Sequence, residues 1–311
     1  MNSVPKNNFF LGVCLLSLSF SGCTSSSPPR FDGEAAFTKV LEQCQFGPRN
    51  PGSAGHERAK NYLLDKLREH SSFVKIQDFT FSDPEQGVEL ELTNIIASFY
   101  PKRTKRVLLC AHWDTRPFAD RDPDTSLRAQ PIPGANDGAS GVAVLLEIAR
   151  IVSLREPLWG VDIVLFDGED GGEEGDVSQF SLGSKYFAKH RGDYQPEFGM
   201  VLDMIGDREL TVYKEGYSSM YARELVDSVW SRAEGLGLFC FRDSVKHFVY
   251  DDHVPLLSAG IPVIDIIDFD YPYWHTLSDT PDKCSPESLQ KIGDLVLEIL
   301  YRGIQFPRSG L

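Results

Sequence analysis

Residues 131–150 (PIPGANDGASGVAVLLEIAR) constrain the fold of this chain more than any other stretch. A Pro/Gly/Asn turn runs through Asp137 into apolar residues at helical spacing: Val142, Leu145, Leu146, Ile148 and Ala149. Asp137 therefore stands where a helix N-cap would, on a loop entering a helix. Alone, it needs no role beyond capping. Its significance comes from three other apolar, strand-like runs that end in metal-ligand residue types: 106–114 (RVLLCAHWD), 161–170 (VDIVLFDGED) and 199–207 (GMVLDMIGD). A fourth run, 261–267, is followed closely by Tyr273, Trp274 and His275. The pattern predicts a metal site assembled on strand ends around Asp137.

Residues 1–22 stand apart from the fold. Lys6 is their only charge, 9–20 is a short, largely apolar run, and Ser21-Gly22-Cys23 supplies small residues, which together read as a signal peptide. The run is shorter than the ~20 residues of a spanning helix. Residues 20–23 (FSGC) resemble a bacterial lipoprotein signal with Cys23 lipidated, although Phe20 stands where Leu is usual. Residues 23–30 read as a flexible tether. Residues 31–311 read as one catalytic domain, with no linker or internal repeat. This organisation implies export to the periplasm or cell envelope, or secretion if Cys23 carries no lipid. Membrane contact is expected only through that anchor.

The net charge is −14, from 45 acidic and 31 basic residues, and no basic patch stands out. Nucleic acid is therefore not expected as a partner. Cys44, Cys110, Cys240 and Cys284 lack the C-x-x-C spacing of a structural zinc knot. Export permits one or two disulfides among them, and spacing does not choose between pairing and free thiols.

Along the chain, 31–44 and 53–70 read as amphipathic helices opened by Asp32 and Ser53, and 73–81 and 88–100 as strands. The continuous apolar run 107–111 suits a strand buried on both faces. Beyond it, strands at 161–166, 199–205 and 261–267 alternate with helices near 181–190, 218–233 and 285–302. Such alternation predicts a largely parallel or mixed sheet with helices on both faces. Ligands in open sheets of this kind bind beyond the carboxyl ends of the strands, where the candidate residues fall.

His112 and Asp114 lie two apart after a buried strand, so both can meet one metal, or Asp114 can orient His112. Glu169 and Asp170 follow a strand directly and point differently, so one can coordinate while the other handles protons. Glu173, Glu174 and Asp176 read as a solvated acidic loop. Asp203, a lone carboxylate amid apolar residues, is costly unless paired or metal-bound. Asp251-Asp252-His253 precedes a short helix and fits a capping cluster equally well. His275 adds a late imidazole, and a mixed His/carboxylate set with an open position suits catalytic zinc. His56, His70, His190 and His247 receive no role.

Taken in order, HWDTRPFAD, GANDGASG, FDGED, LDMIG, DDHVPLLSAGIPV and WHT resemble the zinc-dependent exopeptidase family that contains aminopeptidases and glutaminyl-peptide cyclotransferases. The resemblance runs from about Phe37 to the C-terminus and is closest to bacterial glutaminyl cyclases. It implies a three-layer α/β/α, phosphorylase/hydrolase-like fold with a mixed, mostly parallel sheet. It further implies Asp137, Asp170 and His275 as ligands of one zinc, Glu169 as general acid/base, and Asp203 and Asp251 as its supporting network. In the family's two-metal aminopeptidases, positions matching His112 and Asp203 hold a second zinc with Asp137 bridging; those residues are present here, with Asp114 nearby.

Three features of the resemblance favour the cyclase: Trp274 immediately before His275, the HWDTRPFAD stretch, and Asp170, where Glu is more usual in both animal cyclases and aminopeptidases but similar bacterial cyclases often carry GED. Against it, Gly171 to Gly175 offers no tryptophan comparable to that of animal cyclases. The expected reaction converts N-terminal glutamine of peptides or proteins to pyroglutamate with release of ammonia. Trp274, Trp113 and Phe118 are candidates for the pocket wall. The alternatives are a two-zinc aminopeptidase and a non-catalytic binding module, the latter disfavoured because every ligand type is retained.

Overall fold

The computed structural model describes residue 1 and residues 27–83, 87–172 and 175–304. The expected signal peptide beyond Met1, the expected anchor at Cys23 and the acids Glu173 and Glu174 lie outside the described residues. Helix α1 (Gly33–Cys44) begins at Asp32, whose carboxylate accepts from the Ala35 N–H. Helix α2 (Ala54–His70) begins at Ser53, whose side chain accepts from the His56 N–H. Each cap satisfies a donor that the first helical turn leaves unpaired. There follow β1 (Val74–Asp83), β2 (Val88–Phe99), β3 (Arg106–His112), α3 (Ala139–Leu154), β4 (Gly160–Phe166), α4 (Leu182–His190) and β5 (Phe198–Asp203). The chain continues through β6 (Val212–Lys214), α5 (Gly216–Tyr221), α6 (Arg223–Gly235), β7 (Phe241–Val245), α7 (His253–Ser258), β8 (Val263–Ile267) and α8 (Pro286–Arg302).

Six strands form one sheet in the order β1-β2-β4-β3-β5-β8. β4, β3, β5 and β8 run parallel, while β1 and β2 join antiparallel at one side. Alternate residues of β3 serve opposite faces, as strand geometry requires. Val107, Leu109 and Ala111 pack into the large core with α1, α3 and α8, whereas Leu108 and Cys110 pack with Phe187 of α4 and Leu256 of α7. Helices thus cover both faces, which explains why the central strands are largely apolar. The expected α/β architecture, a mixed and mostly parallel sheet between helical layers, is observed. The large core draws on residues from Phe31 to Leu300. Among the described residues no helix is long and apolar enough to cross a membrane.

Three expectations need adjustment, and the open choice between disulfides and free thiols is resolved. The helix expected at 218–233 is two helices, α5 and α6, because Ala222 leaves the helical region (φ −135°, ψ 38°). The strand expected at 199–205 stops at Asp203, since Met204 takes a left-handed φ of 46°. Asp137 does not cap α3: Gly138 occupies the N-cap with φ 89° and no side-chain cap bond. Cys44, Cys110, Cys240 and Cys284 are all free thiols, two buried and two half-buried.

Helix α3 lies close against β5. A Cβ added at Gly141 would stand 2.0 Å from the Leu202 carbonyl oxygen and 3.0 Å from the Ala111 Cβ. Gly141→Ala is therefore expected to destabilise the fold by about 1–3 kcal/mol through overpacking. Urea denaturation would show this as a lower midpoint at unchanged slope.

Candidate metal centre

Because β3, β4, β5 and β8 run parallel, their carboxyl ends share one edge of the sheet, and the residues beyond them meet there. The loop into α3 is fixed from outside. The N–H groups of Asn136 and Asp137 donate to the two oxygens of Asp279, at 2.8 and 3.1 Å. The Asn136 side chain accepts from the Gly206 N–H at 2.7 Å. Released from capping, the Asp137 carboxylate faces two imidazoles: Oδ1 is 3.2 Å from His112 Nε2, and Oδ2 is 3.9 Å from His275 Nε2.

His275 Nε2 also lies 3.2 Å from Asp170 Oδ1. Donor atoms of Asp137, Asp170 and His275 fall within 4.8 Å of one another. Asp137 Oδ2 and Asp170 Oδ2 are buried and have no hydrogen-bond partner. Buried carboxylate oxygens left unpaired are costly, and a divalent cation among these three donors relieves that cost. Two carboxylates and one imidazole, with room for a further ligand, fit zinc.

On the other side of Asp137, His112 Nε2 lies 3.1 Å from Asp203 Oδ1, and donors of His112, Asp137 and Asp203 also fall within 4.8 Å. Here the partners already satisfy one another. Asp114 does not join them. Its two oxygens accept from the N–H groups of Glu169 and Asp170 at 3.1 and 3.4 Å, so it aims the loop after β4.

Glu169 is buried beside Ser181, whose Oγ lies 3.4 Å from Oε1. Burial, then the charges of Asp170 and Asp251, push its carboxyl pKa well above the usual range. A cavity of 220 Å³ opens onto Glu169, Asp170 and His275, with Phe180, Phe269 and Trp274 in its wall. Asp203 and Asp251 line it as well. The Trp274 ring lies 3.9 Å from the His275 ring and 4.9 Å from that of Phe269.

The other two expected wall residues lie elsewhere. Trp113 is fully buried in the core, stacked on His56 at 4.3 Å with its indole N–H donated to the Thr93 carbonyl. Between two residues that face the site, its side chain points the other way. Phe118 is 42% exposed and is not among the residues lining the cavity.

Sequence reasoning missed two groups. Asp265, in the middle of β8, is fully buried and lies 3.8 Å from His253 Nδ1, while His253 Nε2 lies 3.0 Å from Glu215. Donors of Asp251, His253 and Asp265 also converge within 4.8 Å, and Asp252 makes no side-chain cap bond. Residues 251–253 are therefore a buried cluster behind the site, not a cap. A lone acid within VIDII was the available signal, the same one that marked Asp203. The second group is Arg116 and Asp120, inside the HWDTRPFAD stretch. Arg116 donates to Asp170, and Asp120 lies 3.2 Å from His275 Nδ1.

The metal-free site holds protons that a cation must displace. Burial alone would lower the pKa of His275, but the charges of Asp170, Asp120 and Asp137 raise it to about 9. Burial, reinforced by Asp203, raises Asp251 to about 6. Ligation needs neutral imidazole, so below pH 9 each bound zinc releases at least the His275 proton. Zinc affinity is expected to climb about tenfold per pH unit between roughly pH 6 and 8. Chelator-competition titrations across that range check it, and a flat profile would contradict the assignment of His275.

The family model described as peptidase family M28 matches residues 94–300. The chain is 26% identical over 291 residues to a glutaminyl-peptide cyclotransferase of Drosophila melanogaster, covering 83% of this chain and 79% of that protein. Among solved structures it is similar to a glutaminyl cyclase of Bacteroides thetaiotaomicron bound to N-acetylhistamine, at 39% identity and a TM-score of 0.85, over 88% of this chain and 99% of that one. A Zn-dependent exopeptidase from Parabacteroides distasonis matches with the same identity, TM-score and coverage.

Proposed function

The chain belongs to peptidase family M28, and we propose that within it this protein is a zinc-dependent glutaminyl-peptide cyclotransferase acting on N-terminal glutamine of peptides or proteins. One observation carries the reading: Asp137, Asp170 and His275 converge with unpaired oxygens next to a buried Glu169, in a small cavity with aromatic walls. Asp137, Asp170 and His275 would hold one zinc. Bound there, zinc supplies Lewis acidity to an amide carbonyl oxygen.

The chain's own residues account for the rest. Glu169, with its pKa raised, accepts the proton of the substrate α-amine as the nitrogen bonds to the side-chain carbonyl carbon. It returns that proton to the amide nitrogen as the carbon–nitrogen bond breaks and ammonia leaves. Asp203 and Asp251 line the same cavity, and the charge of Asp251, after that of Asp170, adds to burial in raising the proton affinity of Glu169. Nucleophile and electrophile belong to one residue, so the cavity chiefly has to fold the glutamine side chain back on itself. Phe180, Phe269 and Trp274 supply apolar surface that leaves little room for competing water.

One ion is expected, on Asp137, Asp170 and His275, because Asp137 Oδ2 and Asp170 Oδ2 lack hydrogen-bond partners, whereas His112 Nε2 and Asp203 Oδ1 pair at 3.1 Å. The observation favouring the aminopeptidase alternative is that the same pair, with Asp137, could still hold a second ion. Incubating the purified protein with a Gln-initiated and a Leu-initiated dipeptide separates the two. Ammonia from the first and no leucine from the second is the expected result, with one zinc per chain by elemental analysis. Glu169→Gln is expected to retain zinc and lose turnover by about 10²–10⁴-fold. Near-normal turnover in that variant would remove Glu169 from the proton transfers.

A further inference from the structure

The guanidinium of Arg116 is buried, and its arms reach two carboxylates, Asp170 and Asp120. Nη1 donates to Asp170 Oδ1 at 3.2 Å and to the Asp170 carbonyl at 3.1 Å. Nε and Nη2 fork onto Asp120, at 2.9 Å to Oδ1 and 2.7 Å to Oδ2. Asp120 Oδ1 in turn lies 3.2 Å from His275 Nδ1. The next residue completes the hold, since the Arg121 N–H donates to the His275 carbonyl at 3.2 Å.

We propose that Arg116 is a positioning residue that fixes two of the three zinc ligands at once, Asp170 directly and His275 through Asp120. The proposal rests on the zinc reading above. Three consequences follow from the geometry. Arg116 engages Asp170 Oδ1, while Oδ2, which has no partner, is left to the ion. The Asp120 carboxylate, 3.2 Å from Nδ1 though outside hydrogen-bond geometry, favours the proton on that nitrogen and so directs the Nε2 lone pair to the site. Finally, His275 adopts a left-handed φ of 55°. Strained backbone of this kind persists only where surrounding contacts over-determine it, and the Asp120–Arg121 segment grips His275 at both its ring and its carbonyl.

The residue type matters. A planar fork can satisfy Asp120 with two donors and still direct a third at Asp170, which a lysine ammonium cannot do in the same plane. Carboxylates placed behind metal-bound histidines typically govern metal affinity by about 10–100-fold. Arg116 acts on two ligands, so its removal is expected to reach the upper end of that range.

The test is a zinc titration against a chromophoric chelator, with the metal-free protein first shown to be folded by thermal melting. Arg116→Met and Arg116→Lys are each expected to lose about 10–100-fold in zinc affinity, and Asp120→Asn about 10-fold. The double variant R116M/D120N is expected to lose less than the product of the two single losses, because Arg116 and Asp120 share the arm that reaches His275. Cobalt(II) substituted for zinc gives a second readout. Its visible absorption bands should shift in Arg116→Lys and Asp120→Asn, which a purely structural role would leave in place. Should Arg116→Met fail to fold, Arg116→Lys and Asp120→Asn carry the test, the latter altering a carboxylate that is part-exposed. Zinc affinity within twofold of the parent and an unchanged cobalt spectrum in both would overturn the brace. A parent protein that takes up no zinc would overturn the zinc reading and the brace together, so the two failures are distinguishable.

Discussion

The constraint on which this structure depends is the gathering of like charge in a buried place. Asp137, Asp170, Asp203, Asp251 and Glu169 all line one cavity at the carboxyl edge of the sheet, and each is at most 8% exposed. At the low effective dielectric of a protein interior, such carboxylates repel one another by several kcal/mol per close pair. Protons or a cation relieve that repulsion, and burial first, then the neighbouring acids, raise the pKa of Glu169 and Asp251. A divalent ion held by Asp137, Asp170 and His275 would neutralise the carboxylates it touches, with Glu169 outside that set.

Assembling that charge requires the surrounding backbone to be held rigidly, and the contacts are correspondingly dense. Asp279 receives both N–H groups of the loop that carries Asp137, and Asp114 receives both N–H groups of the Glu169–Asp170 turn. Of the four non-glycine residues with positive φ among those described, three stand at the site: Ser181 against Glu169, Met204 after Asp203, and His275 itself. Strain concentrated at one edge of an otherwise regular sheet is what a pre-formed site requires. The rest of the sheet, packed on both faces, supplies the rigidity that holds it.

The sequence disclosed the parts of this arrangement that leave a local signature. Apolar runs marked the strands, and a carboxylate closing such a run marked Asp203, because burial makes an unpaired acid conspicuous. Helix starts at Asp32 and Ser53 were legible for the same local reason, and the structure shows both side chains capping. Direction and distance were not legible. Trp113 sits between two site-facing residues and turns into the core. The break at Ala222 has no glycine or proline to announce it, and β7, largely exposed, is defined by pairing with β6 and not by an apolar pattern. The contact of Arg116 with Asp170 joins residues 54 apart, and no periodicity reports a link of that kind.

What separates a cyclase from a peptidase on this scaffold is therefore not the identity of the ligands. Both chemistries need a carboxylate placed like Glu169, and both could use the acids around Asp137. The difference lies in the nucleophile each cavity must admit. Peptide hydrolysis needs water at the reacting carbon, whereas cyclisation brings its nucleophile with the substrate and benefits from a dry, closely shaped space. Trp274, tilted against His275, together with Phe269 and Phe180 gives the 220 Å³ cavity apolar wall against which a substrate side chain can fold. The unpartnered carboxylate oxygens, Asp137 Oδ2 and Asp170 Oδ2, stand on the His275 side of Asp137, while on the far side Asp203 Oδ1 is paired with His112. Aromatic surface and unpartnered ligand oxygens on the same side of Asp137 thus point the charge cluster toward intramolecular attack.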